Sequence, residues 1–294
     1  MDNVGYVVLH YQALEETIAC VESIKKKHGN GLTNVIVVDN ASPNRSGLLL
    51  KERYSEDIEV TTVLTDENLG FAKGLNVGIR VLRDKGCNFA VLLNNDTELI
   101  NSDWDNIICK KYEQYHYGAL GPDIISIDGM RHDNPAEKQD TSITGLQHML
   151  REKRKEYVLN LLYIRPAINR IKKEIKKIIG YTPKTQENRN YDEETAGIQL
   201  QGSCMILSPR YYSKYDGLYE KTFLYFEEAI LRARCEENNM PCMYTPSLKL
   251  LHKGSVSVNG SVITERKRKL FYLKHSYHSV QSYYNTLIEN GKGQ

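Results

Sequence analysis

Apolar positions change their spacing in a regular way along the first 125 residues. VGYVVLH (residues 4–10) and NVIVVDN (34–40) are short, nearly unbroken Val/Ile runs, the pattern of strands buried on both faces. IEVTTVL (58–64) and FAVLLN (89–94) extend the series. Between them the apolar residues recur at helical spacing. ALEETIACVESIKKK (13–27) puts Leu14, Ile18, Val21 and Ile24 on one face. SGLLLKERY opens a second helix, and GFAKGLNVGIRVLRDKG (70–86) reads as a third, bounded by glycine. Strands and helices in strict turn predict an α/β fold, a Rossmann-like, mostly parallel sheet flanked by helices. Such sheets bind ligands at the carboxyl ends of their strands. The polar residues there are Asp39-Asn40, Asp66 to Gly70, and Asn94 to Asp96.

The pattern breaks at residue 128. Within 151–177 ten Lys and Arg face three Glu, and leucines, isoleucines and tyrosines are interleaved with them. RIKKEIKKIIG is amphipathic, with Ile171, Ile175, Ile178 and Ile179 near one face. Such a segment reads either as a solvated helix packing its isoleucines on the domain, or as a surface that meets anionic lipid or a pyrophosphate-linked substrate. NRNYDEET (188–195) reads as a loop and GIQLQGSCMILSP (197–209) as a strand. FLYFEEAILRARCEENN (223–239) reads as an aromatic strand end leading into a helix, and LKLLHKGS (248–255) as a strand end and loop. TERKRKLFYLKHSYHSVQSYYNTLI (264–288) reads as a C-terminal helix. The chain thus divides at 1–127, 128–195, 196–262 and 263–294.

Composition narrows the options. With 294 residues, 40% hydrophobic and 26% charged, the chain can bury a substantial core. A net charge of +2 gives no global argument for nucleic acid. Six cysteines without a C-x-x-C pair read as free, mostly buried thiols of a reducing compartment. MDNVGYVVLHY lacks the basic and apolar regions of a signal peptide, and no run approaches a membrane span of ~18 apolar residues. A cytoplasmic protein is expected, with contact at the inner face of a membrane left open and oligomerisation allowed.

The chemistry-bearing residues follow the strands. A strand ending in Asn94-Asn95-Asp96 sets two oxygen-bearing side chains on one side, where one can hold Mg²⁺ or Mn²⁺ and the other a sugar hydroxyl; alone, N-x-D also reads as a common turn. Asp39 can accept from a base N–H or a ribose hydroxyl, or make an Asx turn. Asn68 and Gly70 precede a helix whose N-terminus attracts phosphate. The Gly70, Gly74, Gly78 spacing is not the dinucleotide fingerprint, which argues against a nicotinamide enzyme. Glu227 and Glu228 open a helix beside aromatic residues. A carboxylate there gains proton affinity and suits a general base, although acids in a first turn also serve the helix dipole. His252 follows a strand and can complete a metal site with Asp96.

VVDNAS, NLGFAKGLNVGI, LLNNDTEL, LQGSCMILSP, FLYFEEAIL and LLHKGSVS occur in this order across residues 37–257. Together they closely resemble the nucleotide-sugar-dependent family 2 glycosyltransferases, and within them the rhamnosyltransferase-like and capsular polysaccharide branch. The resemblance covers the first 125 residues and 197–257, and covers 128–195 poorly. It implies a GT-A fold and inverting, metal-dependent transfer of a hexose or deoxyhexose from a UDP- or dTDP-sugar to a glycan or polyprenyl-pyrophosphate-linked acceptor in bacterial surface polysaccharide synthesis.

By position, Asp39 would contact the nucleotide base. Tyr11, Asn68, Gly70, Phe71, Gly74, Asn76 and Asn95 would shape the nucleotide pocket. Asn94 and Asp96 would occupy the D-x-D positions, with Asp96 and His252 on the metal, Mn²⁺ or Mg²⁺. The usual Glu-Asp pair is Glu227-Glu228, with Glu228 in the position of the base. On this reading 1–127 is the nucleotide-sugar half, 128–195 a basic acceptor-side or membrane-side insertion, 196–262 the catalytic half of the same domain, and 263–294 a helical extension. The sequence departs from the family pattern at Asn94, where the first D-x-D acid would stand, and at Ile230, where a further Asp is often found. Two rivals share the sheet order. A sugar nucleotidyltransferase would carry a glycine- and Arg/Lys-rich loop where this chain has HYQALEE. A non-catalytic nucleotide- or glycan-binding protein would have no need of Asp96, Glu228 and His252.

Overall fold

The computed structural model describes residues 3–29, 31–179, 190–254 and 265–291. The chain forms two compact units, one of residues 1–141 and 191–261 and one of 142–190 and 262–294. The insertion expected from residue 128 therefore leaves the first unit only at Ser142.

The first unit opens as its pattern predicts: β1 (Val4–His10), α1 (Leu14–Lys27), β2 (Asn34–Asp39), α2 (Ser46–Arg53), β3 (Val60–Leu64), α3 (Phe71–Asp84) and β4 (Phe89–Asn94). The short β5 (Thr97–Leu99), α4 (Trp104–Tyr115) and β6 (Ala119–Ser126) follow. After the second unit's α5 (Ile143–Leu161) and α6 (Ile164–Ile178), the chain returns through β7 (Thr195–Ala196), β8 (Cys204–Leu207), α7 (Pro209–Tyr212), α8 (Glu227–Glu237) and β9 (Cys242–His252). It ends in α9 (Glu265–Glu289) of the second unit.

Among the described residues the strands form one sheet in the order β3-β2-β1-β4-β8-β6-β9-β5, with β7 paired to β9. β3, β2, β1 and β4 are parallel. β8 runs antiparallel to both β4 and β6, so the second half of the sheet is mixed. The consequence is functional. The carboxyl end of β4 lies beside the amino end of β8, and Asn94 N–H donates to Ser203 O at 3.0 Å.

Alternation along the central strands divides the core. Tyr6, Val8, Val35, Val37, Val91 and Leu93 face α1 and α4 residues such as Val21, Ile24, Trp104 and Ile108. Val7, Ile36, Val38, Ala90 and Leu92 face Leu75, Ile79 and Leu82 of α3 and Leu231 of α8. The glycine stripe of α3 lets that helix sit close: a Cβ on Gly78 would lie 2.4 Å from Val7, and one on Gly74 would lie 2.7 Å from Leu9.

Two expected strands are corrected. Only Cys204–Leu207 of the 197–209 run is regular strand, because Gln201 N–H is drawn to Asn134 Oδ1 at 2.8 Å and the chain turns at Gly202-Ser203. Residues 223–226 are not a strand at all. Tyr225 and Phe226 adopt left-handed conformations (φ 69° and 81°), which no ladder accommodates.

In the second unit α5 and α9 are antiparallel. Gln147 near the start of α5 donates to Tyr284 near the end of α9 at 3.0 Å, while Arg266 at the start of α9 donates to the carbonyls of Asn160 and Leu161 at 3.0 and 2.8 Å. The stripe Leu273, Ser276, Val280, Tyr283 and Leu287 of α9 is buried at heptad-like spacing. Among the described residues no helix is long and apolar enough to cross a membrane.

Candidate active site

The carboxyl ends of β1, β2 and β4 are built from polar side chains that satisfy one another. His10 is fully buried, its Nδ1 2.6 Å from Thr17 Oγ1 and its Nε2 2.7 Å from Ser46 Oγ. Burial pushes its pKa down to about 4 against the opposing charge of Asp39, so the ring is neutral at pH 7. Asp39 is buried, accepts from Ser42 N–H at 3.2 Å, and packs on Gly47, where a Cβ would come within 2.0 Å of its Oδ2. Asn40 Nδ2 donates to Asn68 Oδ1 and Gly70 O at 3.1 and 3.0 Å, and its Oδ1 accepts from Leu69 N–H at 2.8 Å. Asn68 Oδ1 also accepts from Gly70 N–H at 2.9 Å. Tyr11 follows β1 beside Gln12, whose φ of 66° turns the chain, and stays partly exposed. His10 was not among the sequence candidates, and Asn40 was named there only as a polar strand-end residue.

Two candidates for the nucleotide pocket are committed elsewhere. Asn95 Nδ2 donates to Thr17 Oγ1 at 3.0 Å and Ala13 O at 3.3 Å, which ties the end of β4 to α1. Asn76 is buried and clasps the loop before α8: it donates to Leu218 O at 2.9 Å and accepts from Leu218 N–H at 2.8 Å. The same loop reaches the start of α3, where Phe71 N–H donates to Phe223 O at 2.7 Å. A Cβ on Gly70, whose φ is 82°, would lie 2.3 Å from that carbonyl oxygen, so the close approach requires glycine there.

The metal candidates do meet. β5 and β9 pair Thr97 with His252, which brings His252 Nε2 to 3.6 Å from Asp96 Oδ2. Asp133, which the sequence reading missed, lies on the ring's other side, its Oδ2 3.3 Å from His252 Nδ1. Burial lowers the proton affinity of His252, but hydrogen bonds and charge from Asp96 and Asp133 outweigh it and raise the pKa. The donor set, one carboxylate oxygen and one imidazole nitrogen, fits a Mn²⁺- or Mg²⁺-type cation that takes its remaining ligands from phosphate and water. Among the described residues no group of three or more His, Cys, Asp or Glu side chains surrounds a common point. Asp133 addresses the opposite ring nitrogen and orients the imidazole.

The glutamate pair stands at the start of α8. The two consecutive left-handed aromatics, Tyr225 and Phe226, turn the chain into this helix at a cost of ~1–3 kcal/mol each. Glu227 is 3% exposed, and its Oε1 has no partner among the described residues. Burial first and the charge of Glu228 second push its pKa up to about 8, against hydrogen bonds from its own backbone N–H and Thr222. Glu228 is the more accessible of the two. Its proton affinity is also raised by burial, against hydrogen bonds from its own N–H and that of Gly202. Gly202 is specific to this contact, since a Cβ there would lie 2.4 Å from Glu228 Oε1. Because Gly202 adjoins Ser203, which holds Asn94, Glu228 stands over the β4–β8 junction. A separate cavity of about 320 Å³ lined by Arg83, Cys87, Asn88 and Tyr212 lies at the amino end of β4, away from these residues.

A central mixed sheet flanked by helices, with polar residues at the carboxyl ends of its parallel strands, is the architecture of a GT-A fold. The family model for glycosyl transferase family 2 matches residues 6–185, more than half of the chain, and the chain belongs to that family. A curated relative, the low-salt glycan biosynthesis hexosyltransferase Agl10 of Haloferax volcanii, is 22% identical over 242 residues, which are 82% of this chain. The chain spans 64% of that relative's length. Among solved structures, S. aureus TarS 1-349 in complex with UDP matches with a TM-score of 0.52 at 11% identity, covering 99% of this chain and 92% of that one. GalNAc-T7 with UDP, GalNAc and Mn²⁺ matches with a TM-score of 0.57 at 10% identity, covering 92% of this chain and 47% of that one. At these identities the likeness is one of fold.

Proposed function

We propose that the chain is an inverting, metal-dependent glycosyltransferase that moves a hexose or deoxyhexose such as rhamnose from a UDP- or dTDP-sugar to a glycan or lipid-linked glycan acceptor. The proposed setting is surface polysaccharide synthesis in bacteria, at the inner face of the membrane. The observation that carries the reading is Glu228 held by Gly202 beside the end of β4, with Asp96 and His252 paired on the neighbouring strands. The name of the Haloferax volcanii relative supports hexosyl transfer, and the bound groups of GalNAc-T7 support a nucleotide donor with Mn²⁺.

Asp96 and His252 are the residues that would hold Mn²⁺ or Mg²⁺; when bound, the cation neutralises charge on the leaving diphosphate. Asp39 addresses the nucleotide base, and Asn40, Asn68 and Gly70 keep the loop before α3 in shape. Glu228 accepts the proton of an acceptor hydroxyl. That oxygen bonds to the anomeric carbon from the face opposite the nucleotide, and the bond to the diphosphate oxygen breaks with its electron pair leaving on the nucleotide. One displacement inverts the centre, and one carboxylate suffices because the diphosphate departs as an anion. Glu227, buried beside Glu228, supports the orientation of the helix start.

The test is a panel of UDP- and dTDP-sugars with glycan acceptors, read by mass spectrometry of the product. Transfer with inverted anomeric configuration is expected, and Glu228→Gln should lower its rate by ~10²–10⁴-fold while leaving donor binding intact. Donor binding by the wild-type chain without transfer to any acceptor would favour a non-catalytic binding protein.

A further inference from the structure

The isoleucines of α6 fall on one line. Ile164, Ile168, Ile171, Ile175 and Ile178 lie within an arc of about 80° when each residue turns about 100°. This line is not part of the unit's interior. Ile171 is 60% exposed, Ile175 50% and Ile178 82%. The elbow from α5 continues the strip, with Leu161, Leu162 and Tyr163 all exposed. It is a built corner. Tyr163 is left-handed (φ 59°), the Arg266 guanidinium lies 3.8 Å from its ring centroid, and Arg165 pairs with Glu156 at 3.1 Å. The two flanks of the strip differ: Arg165 and Lys172 border one side, Glu174, the one acid of the helix, borders the other, and Arg170, Lys173 and Lys177 lie on the far face.

We propose that the elbow and α6 form an interfacial membrane anchor: the isoleucine strip enters the acyl boundary of an anionic bilayer and the flanking Lys and Arg sit among its headgroups. The shape is that of a helix lying in the interface plane, with a narrow apolar face and a strongly basic polar one. Charge selects this occupant over a second copy of the chain. Each copy of α6 carries six basic residues and one acid, Glu174, so two copies laid strip to strip would repel through their net charge. An anionic surface attracts the same residues. The inference rests on α6 and its surroundings, not on the glycosyltransferase reading.

The test is flotation of the full chain with vesicles of phosphatidylcholine alone and of phosphatidylcholine containing one-third phosphatidylglycerol. Binding to the anionic vesicles at least about tenfold tighter than to the neutral ones is expected, and it should weaken as salt is raised. The triple variant Ile171→Asn, Ile175→Asn, Ile178→Asn should lose vesicle binding while keeping the wild-type circular dichroism. Should that variant misfold, Lys172→Gln, Lys173→Gln, Lys177→Gln alters only polar-face positions and should erase the preference for phosphatidylglycerol. Equal binding to both vesicles, or none to either, would overturn the proposal. So would a dimer in sedimentation that the isoleucine changes dissociate, without vesicle binding.

Discussion

The two sides of the crevice in the first unit are built on opposite terms. At the ends of β1, β2 and β4 the polar groups are paired among themselves: His10 with Thr17 and Ser46, Asn40 with Asn68 and Gly70, Asn95 with Thr17. At the start of α8 the chain is held in two left-handed aromatic residues, and the buried Glu227 Oε1 has no partner among the described residues. A self-satisfied framework holds a ligand in place without changing state. A pair of carboxyl groups with raised proton affinity, held against conformational and desolvation costs, is poised to exchange a proton. On the proposed function, donor positioning falls to the first side and proton transfer to the second.

The contrast breaks most visibly at Glu228. Glu228→Gln is expected to lower turnover by ~10²–10⁴-fold, the usual worth of a general base, with UDP affinity in calorimetry unchanged. A comparable loss of UDP affinity would merge the two sides. Asp133→Asn should act on the other side, weakening metal-dependent nucleotide binding by ~10–100-fold through the orientation of His252, with the melting temperature little changed. Gly202→Ala places a methyl against Glu228. It should lower turnover and destabilise the chain by ~1–3 kcal/mol in urea unfolding.

The smallest effect is one of pH. Glu227 holds its proton to about pH 8 in the folded chain, against about 4.3 for an unperturbed glutamate. Its contribution to stability is therefore full below pH ~4 and is lost as pH rises toward 8. Glu227→Gln should remove that loss, so unfolding free energies extrapolated from urea at pH 5 and pH 8 should differ less in the variant, by roughly 1–3 kcal/mol. Turnover of the wild type should rise with pH across the same range as the pair loses its proton.

The legible parts of this fold are those whose physics is local. Val7, Ile36, Val38 and Leu92 lie in apolar runs that identify strands, and the helical spacing of Leu14, Ile18, Val21 and Ile24 marks the face of α1 that packs on the sheet. β6 is not among the strands expected from the sequence. In the folded chain Gly121 makes room for Leu200, and Pro122 sits where the β6–β9 register shifts. FLYF has strand-forming side chains, yet Tyr225 and Phe226 turn the chain into α8. Asp133 lies in a polar loop 119 residues from His252, and no spacing rule links them. Gly202 stood in plain view within LQGSC, but its reason is a carboxylate 26 positions later. The pairing of Asp96 with His252 was legible as two polar strand ends, whereas the role expected of Glu228 came from family resemblance, which carries tertiary information that periodicity lacks.

The most direct test of the central claim is calorimetric titration of UDP and dTDP, each with and without Mn²⁺, into the wild-type chain and into Asp96→Ala. The account expects one nucleotide to bind only with metal and that binding to disappear in the variant. Binding of neither nucleotide with Mn²⁺, or binding indifferent to Asp96, would contradict it.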